Sequence, residues 1–214
     1  MMGRVVIGIT GGIASGKTSV ASMLAGLGAT VYDADADCHR LLEREDIAAR
    51  VADALGPGVM ADGALDRRAI ADLVFRDRGA LSRLEGILHA EVGANARRLV
   101  EGMGDGDVLA IDAPLLIEAG LDGLCDVILH VDAPPGERRL RMAGRGWDGA
   151  EMARREARQV PVDRKRDRAD ARIDNSGNRT GTRAQVERFW REVVEPMLAE
   201  GDRRTGTPRK GRMR

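Results

Sequence analysis

The chain has 214 residues, and its 34 basic and 34 acidic side chains balance to a formal net charge of zero. Hydrophobic residues make up 43% and charged residues 32%, which excludes a disordered or a membrane-embedded composition. Zero net charge gives no electrostatic reason to expect a nucleic-acid partner. The two cysteines form neither a disulfide framework nor a metal-ligand spacing. We therefore expect a cytoplasmic globular protein with no membrane or nucleic-acid partner, and its oligomeric state stays open.

A strand–loop–helix–strand unit opens the chain. Residues 4–10 (RVVIGIT) are apolar and rich in β-branched side chains, which predicts a strand buried on both faces. A helix is predicted over residues 17–27 with Gly28 as its cap, and a second strand over residues 30–32. Such a βαβ unit implies a parallel sheet with right-handed crossovers.

The rest of the chain separates into a helical segment and three further strands. Helices are predicted over residues 46–55, 66–75, 80–100, 137–143 and 183–198, and strands over residues 107–111, 126–131 and 171–173. We predict one domain over residues 1–200, with an α/β core interrupted by a helical insertion of about 36–102 between its second and third strands. Residues 201–214 carry six basic side chains against one acidic one, which predicts a disordered tail.

The loop between the first strand and the first helix matches G-x-x-x-x-G-K-[ST] in full, and its sequence is GGIASGKT. Its backbone N–H groups are expected to surround the β-phosphate of ATP, with Lys17 on the β- and γ-oxygens and the Thr18 hydroxyl on Mg²⁺. The predicted ATP-binding residues of this loop are Gly11, Gly12, Ile13, Ala14, Ser15, Gly16, Lys17 and Thr18. A glycine-rich turn that matches by chance is the alternative, and the flanking strand and helix argue against it.

Carboxylates follow two of the predicted strands. Asp33 and Asp35 come after the second strand, and Asp112 ends the third. Since the carboxyl ends of parallel strands meet at one edge of a sheet, Asp33 or Asp35 can accept a proton from an attacking hydroxyl, or hold the waters of a metal. Asp112 stands in the manner of a Walker B carboxylate and can hold Mg²⁺ through water. A turn-forming role is the alternative at each position.

Five segments in order along the chain carry a family resemblance. They are TGGIASGKT at 10–18, VYDAD at 31–35, GALDR at 63–67, IDAPLLIE at 111–118 and IDNSG at 173–177. This ordered set resembles the motifs of bacterial dephospho-CoA kinases, which phosphorylate the ribose 3′-hydroxyl of dephospho-CoA to give coenzyme A. The resemblance runs from residue 5 to about residue 190.

The resemblance implies ATP and Mg²⁺ as cofactors. It also implies a three-layer α/β P-loop kinase fold with a five-stranded parallel sheet, a helical acceptor-binding insertion and a lid. In that fold the kinase domain has a nucleotide core of about 1–35, 103–137 and 169–200, the insertion covers about 36–102, and the lid covers about 138–168. Within that fold Asp35 is the preferred general base, with Asp33 close behind and also in contact with the acceptor. The other residues that it singles out are Arg67 and Leu115 on the acceptor side, Arg141 and Arg145 on the phosphates, and Asn175 and Gly177 near the adenine.

Purely structural roles remain the alternative for some of these residues. Arg67 can form a salt bridge at a helix start, residues 175–177 can form a simple turn, and most arginines of the segment from 138 to 158 are expected to be solvated. For the whole chain the alternatives are a shikimate- or gluconate-type kinase, a non-catalytic ATP-binding regulator, or a nucleic-acid-linked ATPase that uses the basic tail. The long helical insertion and the segment IDAPLLIE favour dephospho-CoA as the acceptor.

Overall fold

The computed structural model describes residues 2–144, 156–157 and 159–201. The chain divides into two compact units, one of Met1–Tyr32 with Leu99–Arg214 and the other of Asp33–Arg98. Within the described residues, no helix is both long enough and apolar enough to cross a membrane.

The strands and helices are as follows, numbered in chain order. The strands are β1 (Val5–Gly11), β2 (Thr30–Asp33), β3 (Met60–Ala61), β4 (Ala64–Leu65), β5 (Val108–Asp112), β6 (Val127–Asp132) and β7 (Ala171–Asp174). The α-helices of the described ranges are α1 (Lys17–Ala25), α2 (Ala34–Leu41), α3 (Glu45–Leu55), α4 (Arg67–Arg76), α5 (Arg78–Glu101), α6 (Pro135–Ala143), α7 (Val162–Asp167), α8 (Arg179–Phe189) and α9 (Glu195–Ala199). Short 3₁₀ helices span Pro57–Val59 and Leu121–Leu124, and a π-helical turn, Trp190–Val194, joins α8 to α9.

A five-stranded sheet forms the centre of the first unit, in the order β2-β5-β1-β6-β7. β1 pairs in parallel with β5 and with β6, and β6 pairs in parallel with β7. The register places Ile9 opposite Asp112 and Thr10 opposite His130. The predicted five-stranded parallel sheet is confirmed, with each strand within a residue or two of its expected bounds.

One face of the sheet supplies the main hydrophobic core, because alternate residues of its buried strands point to the same layer of helices. Side chains from α1, α8 and the chain after α8 pack on this face. Members of the core include Val5, Ile7, Ile9, Val20, Leu24, Leu129, Val186 and Val194. On β1, Gly8 lies between Ile7 and Ile9 in sequence and faces the side chains of Leu116 and Cys125. The sheet is therefore covered on both sides at β1, as a parallel sheet requires.

Two predicted helix boundaries are wrong, the end of α1 and the start of α8. α1 ends at Ala25, with Gly26 as its cap, rather than running on to residue 27. Gly28 adopts φ +114 in the turn that follows, where the Ala29 N–H donates to the Leu24 carbonyl and directs the chain into β2. At the other end of the chain α8 starts four residues earlier than predicted, because the Asn178 side chain caps it by accepting from the Gly181 N–H at 2.9 Å.

The second unit is helical, as predicted, apart from one small hairpin. Asp66 caps α4 by accepting from the N–H groups of Arg68 and Ala69, which fixes the start of that helix. β3 and β4, which were not predicted, pair antiparallel across Asp62-Gly63, whose φ values are +50 and +81. Positive φ at both central residues is typical of a type I′ turn, for which Asp-Gly is a favoured sequence.

Gly8 gives a direct test of the packing beneath the sheet. A Cβ at this position would lie 2.6 Å from Cys125 Sγ and 2.8 Å from Leu116 Cδ2. We expect Gly8→Ala to lower the free energy of unfolding by about 1–3 kcal/mol, the usual cost of overpacking. Gly86→Ala on α5, where a Cβ meets nothing within 4 Å, should instead raise stability by about 0.5–1 kcal/mol. Thermal and urea unfolding of both variants measure this, and equal effects would contradict the packing described.

Candidate functional site

The glycine-rich loop lies between the end of β1 at Gly11 and the start of α1 at Lys17. Gly16 adopts φ +98, and a Cβ there would collide with the side-chain amide of Asn175. The Ser15 N–H donates to the Gly12 carbonyl at 3.1 Å, which closes the loop on itself. Ala14 has φ +58, a left-handed conformation that costs an L-residue about 1 kcal/mol. The loop is therefore a specifically built turn that opens onto a helix N-terminus, which is a favourable place for an anion.

Lys17 is almost fully buried, with 9% of its surface exposed. Its Nζ lies 3.3 Å from the Gly12 carbonyl oxygen and 3.5 Å from that of Gly11. The ammonium therefore lies over the loop backbone rather than in bulk solvent. A cation in that position attracts the oxygens of a bound phosphate.

The two predicted metal residues are brought together by the fold. The Thr18 hydroxyl donates to Asp112 Oδ2 at 2.9 Å, and Asp112 is only 4% exposed. Thr18 belongs to the first turn of α1 and Asp112 ends β5, so these residues, 94 positions apart, meet because β5 lies beside β1. A hydroxyl next to a carboxylate is an oxygen-only donor set, which suits Mg²⁺ when phosphate oxygens and waters complete the shell.

Two arginines of α6 contact successive carbonyl groups of the loop. Arg141 donates to Ala14 O at 3.3 Å and Ser15 O at 3.1 Å, and its other terminal nitrogen donates to Asn175 O at 2.7 Å. Arg138 donates to Ile13 O at 3.5 Å and pairs with Glu156 at 2.8 Å. The loop carbonyls, including that of the left-handed Ala14, are thus held by guanidinium groups from one helix.

Most arginines of the segment from 138 to 158 were expected to be solvated, but Arg138 is 9% exposed and lies against Gly12. Arg138 and Arg141 are three positions apart, so α6 presents both from one face. That spacing was the one feature of the sequence that could have indicated that Arg138 lies beside Arg141 at the loop. Arg145, the other lid arginine singled out by the resemblance, lies outside the described residues.

Asn175 links the end of β7 to the loop. Its side-chain amide donates to Ser15 O at 2.8 Å, and its Oδ1 accepts from the Thr182 hydroxyl at 2.8 Å. Gly177 follows in an exposed position, with open space around its Cα. A cavity of about 660 Å³ lies beside this segment; it is lined by Pro134, Gly136, Glu137, Arg139, Leu140, Ala143 and Ser176. The segment is therefore both a brace for the loop and one wall of an apolar groove.

Asp33 and Asp35 occupy the junction of β2 and α2. Asp33 is the last residue of β2 and caps α2, because its Oδ1 accepts from the Ala36 N–H at 2.9 Å. Asp35 lies in the first turn of α2. Asp33 therefore has a structural role as a helix cap, which was not predicted from the sequence. Nearby, burial, followed by the charges of Asp35 and Asp37, raises the pKa of Cys38 to about 11, so its thiol stays protonated near neutral pH and is no nucleophile.

The two predicted acceptor-side residues have ordinary surroundings. Arg67 forms a salt bridge with Glu43 at 2.7 Å, and both side chains are more than half exposed. An exposed pair of this kind stabilises a fold by at most about 1 kcal/mol, so it leaves Arg67 available for other contacts. Leu115 is half-buried in the turn after β5, where its carbonyl accepts from the Ala119 N–H at 2.9 Å.

Two polar contacts near the site were not predicted from the sequence. Thr182 positions Asn175, and Lys165 and Glu118 form a buried ion pair at 3.1 Å. Lys165 and Glu118 lie on different parts of the chain, so no local periodicity predicts their meeting. Only the unusual use of lysine at position 165, in an arginine-rich chain, was available as a hint.

Fold and loop together define the class: a P-loop kinase-type nucleotide-binding protein. Comparison with known proteins narrows this, because the family model for dephospho-CoA kinase matches residues 5–180. A dephospho-CoA kinase of Symbiobacterium thermophilum is 43% identical over 192 residues, which cover 87% of this chain and 80% of that relative. The chain belongs to the dephospho-CoA kinase family, and it is a kinase of the ATP-using P-loop type.

Solved structures share the fold of this chain. The crystal structure of TT1252 from Thermus thermophilus aligns with a TM-score of 0.75 at 34% identity, over 89% of this chain and 98% of that one. A dephospho-CoA kinase from Campylobacter jejuni aligns with a TM-score of 0.67 over 90% of this chain and 98% of that one. The latter is 18% identical, so it shows the common fold alone. The family assignment disfavours the shikimate or gluconate kinase and the non-catalytic regulator.

Proposed function

We propose that this protein transfers the γ-phosphoryl group of ATP to the ribose 3′-hydroxyl of dephospho-CoA, giving coenzyme A and ADP in the last step of coenzyme A biosynthesis. The observation that carries the proposal is the hydrogen bond from Thr18 to Asp112 at the end of a complete phosphate loop, in a member of this family. We place the protein in the cytoplasm, where ATP is available and where its two free cysteines, Cys38 and Cys125, stay reduced.

The loop of residues 11–18 binds the phosphates of ATP. Backbone N–H groups and the N-terminus of α1 face the negative charge, and Lys17 attracts the β- and γ-oxygens. Arg138 and Arg141 donate hydrogen bonds to carbonyl groups of the loop. Because the N–H of a peptide group points away from its carbonyl, these bonds keep the N–H groups directed at the phosphates. Most of the catalysis by such a site is positioning and charge stabilisation.

Thr18 and Asp112 are the residues that would hold Mg²⁺, which would supply positive charge beside the phosphates. When bound, the ion neutralises part of the charge on the β- and γ-phosphates. Their 2.9 Å hydrogen bond keeps both oxygen donors directed at one place. Asp112 is nearly buried, so its charge is weakly screened and attracts a cation more strongly than an exposed carboxylate would.

The adenine ring lies in the groove beside residues 175–177. The walls of this groove include the apolar side chains of Pro134, Leu140 and Ala143, against which a flat ring can pack. Asn175 and Gly177 form the nearby edge, where a backbone without a Cβ at position 177 allows close approach. Arg141 touches both the loop and Asn175, so it joins the phosphate and base ends of the nucleotide site.

On the acceptor side Asp35 takes the proton of the 3′-hydroxyl as the oxygen attacks the γ-phosphorus. One carboxylate oxygen of Asp33 already accepts the hydrogen bond that caps α2. We therefore favour Asp33 as a residue that contacts the substrate dephospho-CoA and also fixes the start of α2. Arg67 and Leu115 contact the acceptor as well, Arg67 through a phosphate and Leu115 through apolar surface. Arg145 stabilises the charge on the equatorial oxygens as the phosphoryl group moves.

The choice of acceptor is tested by turnover. Purified protein with ATP and Mg²⁺ is mixed separately with dephospho-CoA, AMP, shikimate and gluconate, and ADP release is followed with a coupled assay. We expect rapid turnover with dephospho-CoA alone, and a 3′-phosphate in the product by mass spectrometry. Comparable rates with another acceptor, or tight ATP binding without turnover on any of them, would overturn the proposal.

The metal role of Thr18 is tested by Thr18→Val, which keeps the branched shape but removes the hydroxyl. We expect kcat to fall about 100-fold, as when one charge-stabilising group is lost from an active site, and the Mg²⁺ requirement to rise. Thr18→Ser retains the hydroxyl and serves as the matched control, with activity close to wild type. Initial rates over a range of Mg²⁺ concentrations measure both effects, and wild-type behaviour of the valine variant would remove Thr18 from the metal site.

The two acidic residues are separated by a pair of substitutions that respect the helix cap. Asp33→Ser removes the carboxylate but keeps an oxygen that can cap α2. Asp35→Asn removes the base without changing shape, and we expect it to lower kcat by about 10²–10⁴-fold. The serine variant should lose acceptor affinity with a smaller effect on kcat. If instead kcat collapses in Asp33→Ser and survives in Asp35→Asn, then Asp33 is the base.

A further inference from the structure

A fully buried lysine lies beneath the turn that follows Asp112. The chain uses lysine only at positions 17, 165 and 210, and arginine at every other basic position apart from its histidines. Lys165, on α7, has 0% of its surface exposed. A buried ammonium is stable only when its charge is paired and its N–H groups are bonded, so its partners reveal what it holds.

All three N–H groups of Lys165 find acceptors. Nζ donates to Pro114 O at 2.7 Å and to Gln159 Oε1 at 3.0 Å, and it lies 3.1 Å from Glu118 Oε1. Glu118 Oε1 also accepts from the Val160 N–H at 2.6 Å. Three acceptors around one point suit a compact ammonium better than a planar guanidinium, which explains lysine here. Burial lowers the pKa of Lys165, and the neighbouring Glu118 carboxylate opposes that change.

These contacts clamp one particular stretch, residues 113–120, which we name the β5 turn. Lys165 holds it at Pro114, two residues beyond Asp112, and at Glu118. Inside the turn the Leu116 N–H donates to the Ala113 carbonyl at 3.2 Å, so the clamped points are joined by a bonded backbone. The β5 turn begins at the residue after Asp112, so a shift of this turn would move the end of the strand and the Asp112 carboxylate.

We propose that Lys165 is a positioning residue for phosphoryl transfer: it clamps the β5 turn so that Asp112 stays within hydrogen-bond reach of Thr18. The contacts of Lys165 with Pro114 and Glu118 are the route by which it acts on Asp112. The inference rests on the proposed function, in which Thr18 and Asp112 hold Mg²⁺. It also joins residues 159–165, at the end of the predicted lid, to the metal side of the site.

The test uses a paired substitution. Lys165→Met alone would leave Glu118 buried without its cation and would destabilise the fold for that reason. Lys165→Met with Glu118→Gln replaces the ion pair by neutral groups, and the glutamine still accepts from Val160. The matched control is Arg166→Met on the same helix, because Arg166 pairs with Asp132 at 3.0 Å rather than with the β5 turn.

We expect the paired variant to need about 10-fold more Mg²⁺ for half-maximal turnover, the effect usual for groups that orient a metal ligand, while its thermal midpoint stays near that of wild type. Arg166→Met should keep the wild-type Mg²⁺ requirement. A folded paired variant with wild-type Mg²⁺ dependence, or an equal shift in Arg166→Met, would overturn the role of Lys165.

Two further measurements keep the result decisive. Gln159→Leu removes one acceptor of Lys165 and leaves the ion pair with Glu118 intact, so if the paired variant does not fold, a smaller rise in the Mg²⁺ requirement of this variant supports the clamp and no rise contradicts it. Calorimetric titration of ATP at several Mg²⁺ concentrations reports the same shift without any acceptor. Failure of dephospho-CoA as the acceptor is therefore distinguishable from failure of the clamp.

Discussion

The parallel pairing of β1 with β5 is the constraint on which the site depends. It sets Ile9 opposite Asp112, so that the carboxylate ending β5 lies beside the loop that follows β1. The Thr18 hydroxyl then reaches Asp112 at 2.9 Å. Moving the register by one residue would turn the Asp112 side chain to the opposite face of the sheet and break this contact. The buried apolar residues of both strands hold the register, so core packing also sets the geometry of the proposed metal site.

Around that pair, contacts from distant parts of the chain restrain the phosphate loop. Arg138 and Arg141 hold its carbonyl groups from α6, and Asn175 holds Ser15 from the end of β7. These bonds maintain a conformation that includes a left-handed alanine, which the loop sequence alone would not favour. A loop held in advance loses less entropy when a triphosphate binds, which favours both affinity and correct placement for transfer.

Local signals in the sequence were sufficient for the loop, the strands and most helices. The motif of residues 11–18 carries its own chemistry, and apolar runs such as residues 4–10 predict buried strands. The Asp62-Gly63 hairpin was missed although its turn signal is present. The burial of Arg138 and of Lys165 could not be predicted, because their partners include Ile13 and Pro114, 125 and 51 positions away. Such contacts are fixed by the strand order, which local patterns do not specify.

A crystal structure with Mg²⁺ and a non-hydrolysable ATP analogue tests the central claim most directly. We predict that the metal is bound by the Thr18 hydroxyl and by β- and γ-phosphate oxygens, with Asp112 hydrogen-bonded to one of its waters. The amides of residues 13–18 should surround the β-phosphate. A nucleotide bound elsewhere, or a metal that contacts neither Thr18 nor a water held by Asp112, would contradict the assignment of this edge of the sheet as the site of phosphoryl transfer.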